Sequence, residues 1–305
     1  MRFPELHNYL SRLKHGEPGD SRLWTDRAGR VQGQFFNCAL TSLFQPVRAL
    51  DGELLAFDAH AHSYSQEDRG LSVWRLLNSA ASDDESIELD RLCRMLHVLN
   101  FFRQTDDDAS ALLIGVHERL LAAVNSNHGA VFRHILDGLG LPVGRVLLQL
   151  PQASAERNWA IGFVVDNYRR NGFRIATHAR DVAEAGRQLE QLRPEMVRID
   201  SHASGNIEQL AHLIEHASAL HVRLLFSRVD AKADLLRIIE ALSLSSTGTG
   251  EHLWIQGAHA GAPEPALPAS VLSSALSAPA PAKPARSESS LASQLRDRKV
   301  ASSFA

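Results

Sequence analysis

Between residues 43 and 256, short apolar runs alternate with longer amphipathic ones, and few folds accommodate such a chain. The apolar runs predict strands at 43–48, 53–58, 111–116, 144–150, 173–177, 196–200, 222–227 and 252–256. The amphipathic runs predict helices at 86–104, 118–138, 155–170, 181–192, 205–219 and 231–242. Strands that alternate with helices in this way form a mostly parallel sheet. The chain therefore belongs to the α/β class.

Two α/β architectures fit this order, a closed barrel and an open doubly wound sheet. No Gly-rich phosphate-binding loop follows any predicted strand, as one would in many doubly wound nucleotide-binding folds. A (β/α)8 barrel needs about 250 residues, and the chain has 305. We therefore predict a single-domain TIM-like (β/α)8 barrel.

The two ends of the chain differ in composition from the middle. Residues 1–40 form an accessory segment in which Phe3, Leu6, Leu10 and Leu13 recur at helical spacing. The barrel is predicted to occupy 41–265. Residues 266–305 are rich in Ala, Ser and Pro, a composition that buries too little apolar surface to offset chain entropy. We predict a disordered tail there.

Composition limits the partners and the location. The net charge is −3 and the isoelectric point is about 6.6, whereas nucleic-acid-binding domains usually carry a basic excess, so no nucleic-acid partner is expected. Cys38 and Cys93 lie in apolar runs and are predicted to be buried thiols. The N-terminus lacks the pattern of a secretory signal, and no apolar stretch is long enough to cross a membrane. We expect a cytoplasmic protein with no membrane partner.

Several motifs, in order, resemble those of the EAL-domain proteins over about 43–265. The motif Phe-Gln-Pro-Val at 44–47, followed by Asp-Gly at 51–52, is similar to that family's opening hairpin. Phe-Asp-Ala-His-Ala-His at 57–62 stands where the family has Phe-Glu-Ala-Leu-Leu-Arg. Leu-Asp at 89–90, Val-Arg-Ile-Asp at 197–200 and Gln-Gly at 256–257 resemble three later motifs. The resemblance implies a barrel that hydrolyses cyclic di-GMP or descends from one that did.

The departures from the family pattern concern the catalytic positions. In active members five acidic residues and an Asn bind two metal ions, and a Lys assists the attacking water. The corresponding positions here hold Asp58, Gly115, Gln149, His178, Ala179 and Ser227, with Arg198 in place of the Lys. Two divalent ions about 4 Å apart need several carboxylates to offset their repulsion. We therefore expect no catalytic residues, no metal cofactor and no phosphodiesterase activity.

Nucleotide binding without hydrolysis is a separate expectation from the same resemblance. Gln45, Asp200 and Gln256 retain polar groups that could contact the nucleotide. The family's phosphate-contacting Arg is replaced by His62, which carries little charge at neutral pH and lacks a bidentate fork. Any binding of cyclic di-GMP is expected to be weak.

A cluster of histidines supports an alternative of another class. His60, His62, His178 and His202 are all predicted to lie at the C-terminal rim of the barrel, as is His117. A His-x-His pair with single histidines on later strands resembles the Zn or Fe site of amidohydrolase barrels, and imidazole suits such metals. However, the last strand offers no Asp as general base, and in a chain with 15 His some collect by chance. Polar filling of a former active site is the competing interpretation.

The expected function combines these interpretations. The resemblance implies a catalytically degenerate EAL-type barrel that acts as a regulatory binding module in bacterial cyclic di-GMP signalling. Because a fold does not fix an activity, a barrel without its active site can still bind another protein. Protein–protein interaction is the first choice, with an unidentified partner, and the family also makes a homodimer plausible.

Overall fold

The computed structural model describes residues 2–16, 22–36, 38–63, 82–105, 109–117, 128–152, 158–203, 205–246 and 250–268. All of them fall in one unit, Met1–Leu272. The strands are β1 (Leu23–Thr25), β2 (Val31–Phe35), β3 (Cys38–Ala49), β4 (Leu54–Ser63), β5 (Ala111–Gly115), β6 (Val146–Gln149), β7 (Arg174–Ala179), β8 (Met196–Asp200), β9 (Arg223–Ser227) and β10 (Leu253–Ile255). The helices are α1 (Pro4–Leu10), α2 (Asp83–Phe102), α3 (His128–Gly138), α4 (Asn158–Arg170), α5 (Val182–Leu192), α6 (Ile207–Ala219) and α7 (Lys232–Leu244).

Strands β3 to β10 close into an eight-stranded barrel, which confirms the predicted (β/α)8 fold. Neighbouring strands from β4 to β10 pair in parallel in chain order. Strand β3 pairs antiparallel with β4 on one side and with β10 on the other. Closure therefore depends on a single antiparallel strand that bridges the first and last parallel ones.

The barrel core has an inner and an outer part because side chains alternate across each strand. Val47, Leu113, Met196, Leu225 and Trp254 belong to the cluster inside the barrel. The opposite strand faces pack against the surrounding helices in two larger clusters. This alternation fixes which residues can reach the mouth of the barrel.

The N-terminal segment contains more than the predicted helix. Besides α1, it contributes β1 and β2, which extend the sheet from β3 by antiparallel pairing. Strand β3 accordingly begins at Cys38, five residues before the predicted start of 43, because its first residues pair with β2. The alternation of these short strands is too brief to identify from the sequence alone.

The predicted end of the second strand was wrong, and the predicted start of the second helix falls outside the described residues. The strand expected at 53–58 continues to Ser63, because β3 is long enough to pair with it as far as Leu40. His60 and His62 therefore lie within β4 and not after it. Of the helix expected over 118–138, the structure shows α3 from His128, and 118–127 lie outside the described residues.

The end of the chain is described as far as residue 268. There Leu267 is 5% exposed and its backbone N–H donates to Gln104 Oε1 at 3.2 Å. The rest of the tail, where disorder was predicted, lies outside the described residues. Among the described helices, none is long and apolar enough to span a bilayer.

Candidate functional site at the barrel mouth

The candidate site residues occupy equivalent places on successive strands. Each lies two residues beyond a side chain of the inner cluster, and side chains two apart on a strand share a face. The pairs are Ala56 with Asp58, Leu113 with Gly115, Leu147 with Gln149, Ala176 with His178, Met196 with Arg198, Leu225 with Ser227, and Trp254 with Gln256. The C-terminal ends of the strands thus bring these positions to one mouth.

Asp58 is at the centre of this mouth and is 2% exposed. Its Oδ1 accepts a hydrogen bond from Gln149 Nε2 at 2.6 Å. Its Oδ2 accepts from Arg198 Nη1 at 2.8 Å and from Gln256 Nε2 at 2.7 Å. His60 Nε2 lies 3.6 Å from the same Oδ2. The carboxylate is therefore surrounded by donors that belong to the barrel itself.

The protonation state of Asp58 follows from these neighbours. Burial by itself raises its pKa, but the charges of His60 and Arg198 and the hydrogen bonds from Arg198 and Gln256 outweigh it. The net pKa lies below the usual 3.8, so the group is ionised at neutral pH. Asp58 and Arg198 consequently form an ion pair that is largely shielded from water.

The amides around Asp58 form a wider network. Gln149 Oε1 accepts from Arg198 Nη1 at 3.0 Å, so Gln149 contacts both charged partners. Gln256 Nε2 also donates to Gln45 Oε1 at 2.9 Å, and Gln45 Nε2 donates to the Gly261 carbonyl at 3.2 Å. Gln45 and Gln256, predicted to contact a nucleotide, are thus engaged within the barrel wall.

Beside the network lies a cavity of about 290 Å³ at the ends of β4 to β8. Asp58, His60, Gly115, Gln149, His178 and Arg198 all line it. Arg198 is 21% exposed and uses only Nη1 in hydrogen bonds to described residues, which leaves Nη2 and Nε. Burial and the charge of Arg198 lower the pKa of His178, so its imidazole is neutral at pH 7. The described residues that line the cavity therefore present one guanidinium and two imidazoles beside the Asp58 carboxylate.

The remaining predicted positions do not line this cavity. Ala179 is buried on the outer face of β7, in the cluster that packs against the helices. Ser227 is buried and its Oγ donates to the Ile199 carbonyl at 3.3 Å. Asp200 Oδ2 accepts from Arg228 Nη1 at 2.8 Å. His62 is half-buried in β4, opposite Thr41.

The histidines predicted as metal ligands divide into separate places. His60 and His178 share the cavity, whereas His202 lies on the turn after β8, with Nδ1 3.2 Å from Asp200 Oδ1. His117, expected at the rim, is 3% exposed, and its backbone N–H donates to Asp90 Oδ1 at 3.1 Å. Within the described parts of the chain, no three His, Cys, Asp or Glu side chains form a group that could hold a metal ion. The metal hydrolase stays a prediction.

Sequence reasoning missed six residues that border the cavity, namely Ala59, Val116, Leu150, Pro151, Gln152 and Thr177. Leu150, Pro151 and Gln152 follow β6 in that order, and Thr177 lies in β7. The run Gln-Leu-Pro-Gln at 149–152 held a signal, because a Pro that ends an apolar strand often marks the start of a loop. Nothing in the sequence marks Thr177.

Fold and mouth together define a class, a (β/α)8 barrel with an antiparallel β3 and a polar site at the C-terminal strand ends. The family model of the EAL domain matches residues 28–242. The chain therefore belongs to the EAL domain family. No curated protein sequence matches it significantly.

Solved EAL structures share the fold at low identity. The YkuI protein of Bacillus subtilis, in complex with cyclic di-GMP and calcium, has a TM-score of 0.57 at 15% identity over 75% of this chain and 56% of YkuI, so the chain spans a little over half of that protein. The FimX EAL domain of Pseudomonas aeruginosa, bound to cyclic di-GMP, has a TM-score of 0.57 at 15% identity over 74% of this chain and 91% of that one. The EAL domain of Xanthomonas citri FimX, also in complex with cyclic di-GMP, has a TM-score of 0.55 at 15% identity over 74% and 88%. At such identities the likeness concerns the fold.

Proposed function

We propose that this protein is a catalytically degenerate EAL barrel and acts as a regulatory binding module in bacterial cyclic di-GMP signalling, chiefly through protein–protein interaction. The observation that carries the proposal is that hydrogen-bond donors of the barrel itself already bind both carboxylate oxygens of Asp58. Three donors of the barrel, from Gln149, Arg198 and Gln256, bind Asp58, the one acidic side chain among the described residues that border the mouth cavity.

The residues at the mouth do not fit a pair of divalent cations. Such a pair needs several anionic oxygen ligands, whereas Gly115, Gln149 and His178 stand beside Asp58. A cation that bound Asp58 would also have to displace Arg198, and the released guanidinium would then repel it. The positive charge of Arg198 therefore already lies beside the Asp58 carboxylate, where a metal ion would have to bind.

Arg198 also cannot replace a lysine that assists an attacking water. A guanidinium stays protonated at any usable pH and so cannot accept a proton. His178 is neutral, but no anionic ligand set adjoins it within the described cavity lining. The mouth therefore favours binding over two-metal hydrolysis.

The first experiment is a product assay. Purified protein is incubated with cyclic di-GMP in Mg²⁺ or Mn²⁺, and linear product is measured by chromatography beside an active EAL phosphodiesterase. We expect no product above the buffer blank. Turnover that is abolished by Asp58→Ala would overturn the degenerate assignment.

A second candidate function is a cyclic di-GMP receptor that does not hydrolyse its ligand. It is favoured by the cavity and by the unused Nη2 and Nε of Arg198, which could meet a phosphate. The FimX EAL domains, solved with this nucleotide, make it a reasonable ligand to test.

Isothermal titration with cyclic di-GMP, with and without divalent metal, separates the two candidates. Absence of binding supports a protein-interaction module, whereas tight binding that is lost in Arg198→Gln supports the receptor.

The predicted homodimer is measured on the same sample by light scattering, and the predicted cytoplasmic location by cell fractionation. A partner of the protein-interaction module should form a stoichiometric complex that persists in EDTA.

A further inference from the structure

The opposite end of the barrel carries a pair of arginines. Arg174 and Arg223 are the first residues of β7 and β9, so both lie at the N-terminal end of the parallel strands. Each is two residues before a member of the inner cluster, Ala176 or Leu225, and therefore faces the barrel interior. Arg223 Cζ lies 5.2 Å from the ring centroid of Trp254, whose indole is 7% exposed. Two guanidiniums thus lie at the floor of the barrel.

These two charges are not neutralised locally. Within the described residues, neither arginine has a carboxylate oxygen within 4.0 Å, the limit for an ion pair. Arg174 Nη1 donates to the Gly144 carbonyl at 3.4 Å, and no described residue accepts a hydrogen bond from Arg223. Burial and the charge of Arg223 lower the pKa of Arg174, so the two groups are close enough to repel.

The carboxylate of Glu195, which acts on Arg174, has other partners. Glu195 precedes β8, between the two arginine-bearing strands, and its Oε2 accepts from the Ile175 backbone N–H at 2.8 Å. The same oxygen lies 3.9 Å from Arg169 Nη2. Glu195 opposes the shift of the Arg174 pKa without reversing it. The Glu195 carboxylate is therefore shared between the Ile175 N–H, Arg169 and Arg174.

A buried imidazole nitrogen adjoins the pair. His252 comes immediately before β10, and its backbone carbonyl accepts from the Leu224 N–H at 2.9 Å, which places His252 beside Arg223. Its Nε2 is buried and has no hydrogen-bond partner among the described residues. A buried polar atom without a partner is costly and usually indicates an absent ligand or water. Glu251, the preceding residue, is exposed to solvent.

We infer that the floor of the barrel is a second binding site, for the phosphate group of a small molecule, formed by Arg174, Arg223 and His252. Guanidinium groups bind phosphate through paired charge-assisted hydrogen bonds. Two guanidiniums carry two positive charges, so a doubly charged phosphate matches them better than a singly charged carboxylate does. Trp254 holds the Arg223 side chain by a cation–π contact and so pre-orients it. The site is separate from the mouth, because Trp254 and the inner cluster fill the barrel between them.

The test uses inorganic phosphate as the probe. The full chain is titrated with phosphate at constant ionic strength, balanced with chloride, while tryptophan fluorescence and heat are recorded. We expect a saturable response that chloride does not produce and that loses its fluorescence component in Trp254→Phe. Arg223→Gln and Arg174→Gln should each weaken phosphate binding about tenfold, because each removes charge-assisted hydrogen bonds.

Two matched variants decide where phosphate binds. Arg133→Gln removes an exposed guanidinium that pairs with Asp137 on α3, and it should leave binding unchanged. Arg198→Gln removes the guanidinium at the mouth and tests whether phosphate binds there instead. Loss of binding in Arg198→Gln but not in Arg223→Gln would assign the phosphate to the mouth and overturn the inference, as would the absence of any saturable response. Arg223→Lys, which keeps the charge but not the fork, serves if the Gln variant does not fold.

Discussion

At the scale of single residues, buried polar groups around the mouth depend on one another. Asp58 remains ionised because Arg198 and two amides bind it, and Arg198 remains in place because Asp58 and Gln149 accept its hydrogen bonds. Removing one partner of such a buried pair usually costs more than the pair contributes, since the other charge is left without compensation.

Behind β3, the His97 imidazole shares a hydrogen bond with Ser42 Oγ at 2.9 Å, and His97 is 4% exposed.

His97 should make the protein sensitive to mild acid. Burial, and secondarily the charge of His60, lowers its pKa from 6.5 to about 3, although Asp58 opposes the shift. The unfolded chain therefore takes up a proton near pH 6.5 that the folded protein does not, so this contribution is present above that pH and is lost as the pH falls towards 3. Between pH 7 and pH 5 the free energy of unfolding should fall by about 2 kcal/mol from this group.

Urea unfolding at the two pH values measures this loss. His97→Gln should show a fall smaller by that amount, because an amide does not titrate. His134→Gln, at an exposed position of α3, is the control and should keep the wild-type dependence. Equal pH dependence in the wild type and His97→Gln would contradict the assignment.

At the scale of elements, α2 attaches the N-terminal strands to the barrel. The helix begins with a capping box, in which Ser82 Oγ accepts from the Glu85 N–H and Glu85 Oε2 accepts from the Ser82 N–H, both at 3.2 Å. Near its other end, Asn100 Oδ1 accepts from the Val31 N–H and its Nδ2 donates to the Val31 carbonyl, both at 2.8 Å. One side chain therefore satisfies both backbone groups at the start of β2.

Replacing Asn100 should loosen β2. In Asn100→Leu the Val31 N–H loses its buried partner, whereas the Val31 carbonyl keeps the hydrogen bond from Thr41 Oγ1 at 3.0 Å, so we expect the free energy of unfolding to fall by about 1–3 kcal/mol. Amide hydrogen exchange should accelerate first at Val31 and its neighbours. Arg103→Gln, which removes only a 3.2 Å bond to the same Asn100 oxygen, is the control and should leave that exchange nearly unchanged. Uniform acceleration across the barrel would indicate that Asn100 does not act locally.

At the scale of the whole molecule, the barrel depends on how its last strand closes. Strand β10 has three residues and pairs with both β9 and β3. Gly257 follows it with φ of +154°, and a Cβ there would lie within 2.6 Å of the Val229 carbonyl carbon. No flexible side chain can yield at this contact, because the neighbouring atoms are backbone.

Gly257→Ala should therefore destabilise the entire barrel. We expect a loss of about 3 kcal/mol or more, because the β9 and β10 connections must separate to admit a methyl group. Gly162→Ala is the matched control: this glycine lies inside α4, where an added Cβ would meet no atom within 4 Å, and the variant should gain about 0.5–1 kcal/mol from helix propensity. Thermal unfolding followed by circular dichroism compares the two. An unchanged melting temperature in Gly257→Ala would show that the backbone at Val229 can move aside without loss of barrel stability.

The sequence by itself determined the order of the barrel strands and their helices, the barrel they form and the family resemblance, because periodicity and motif order are local properties of the chain. It also determined which residue types stand at the strand ends. Only the tertiary structure decided that Gln149, Arg198 and Gln256 converge on Asp58, that His62 and His202 lie apart from His178, and that Arg174 and Arg223 face the same end of the barrel interior. Such contacts join residues from distant strands, and their distances follow from how the barrel closes and from β3 and β4 being longer than their apolar runs indicate.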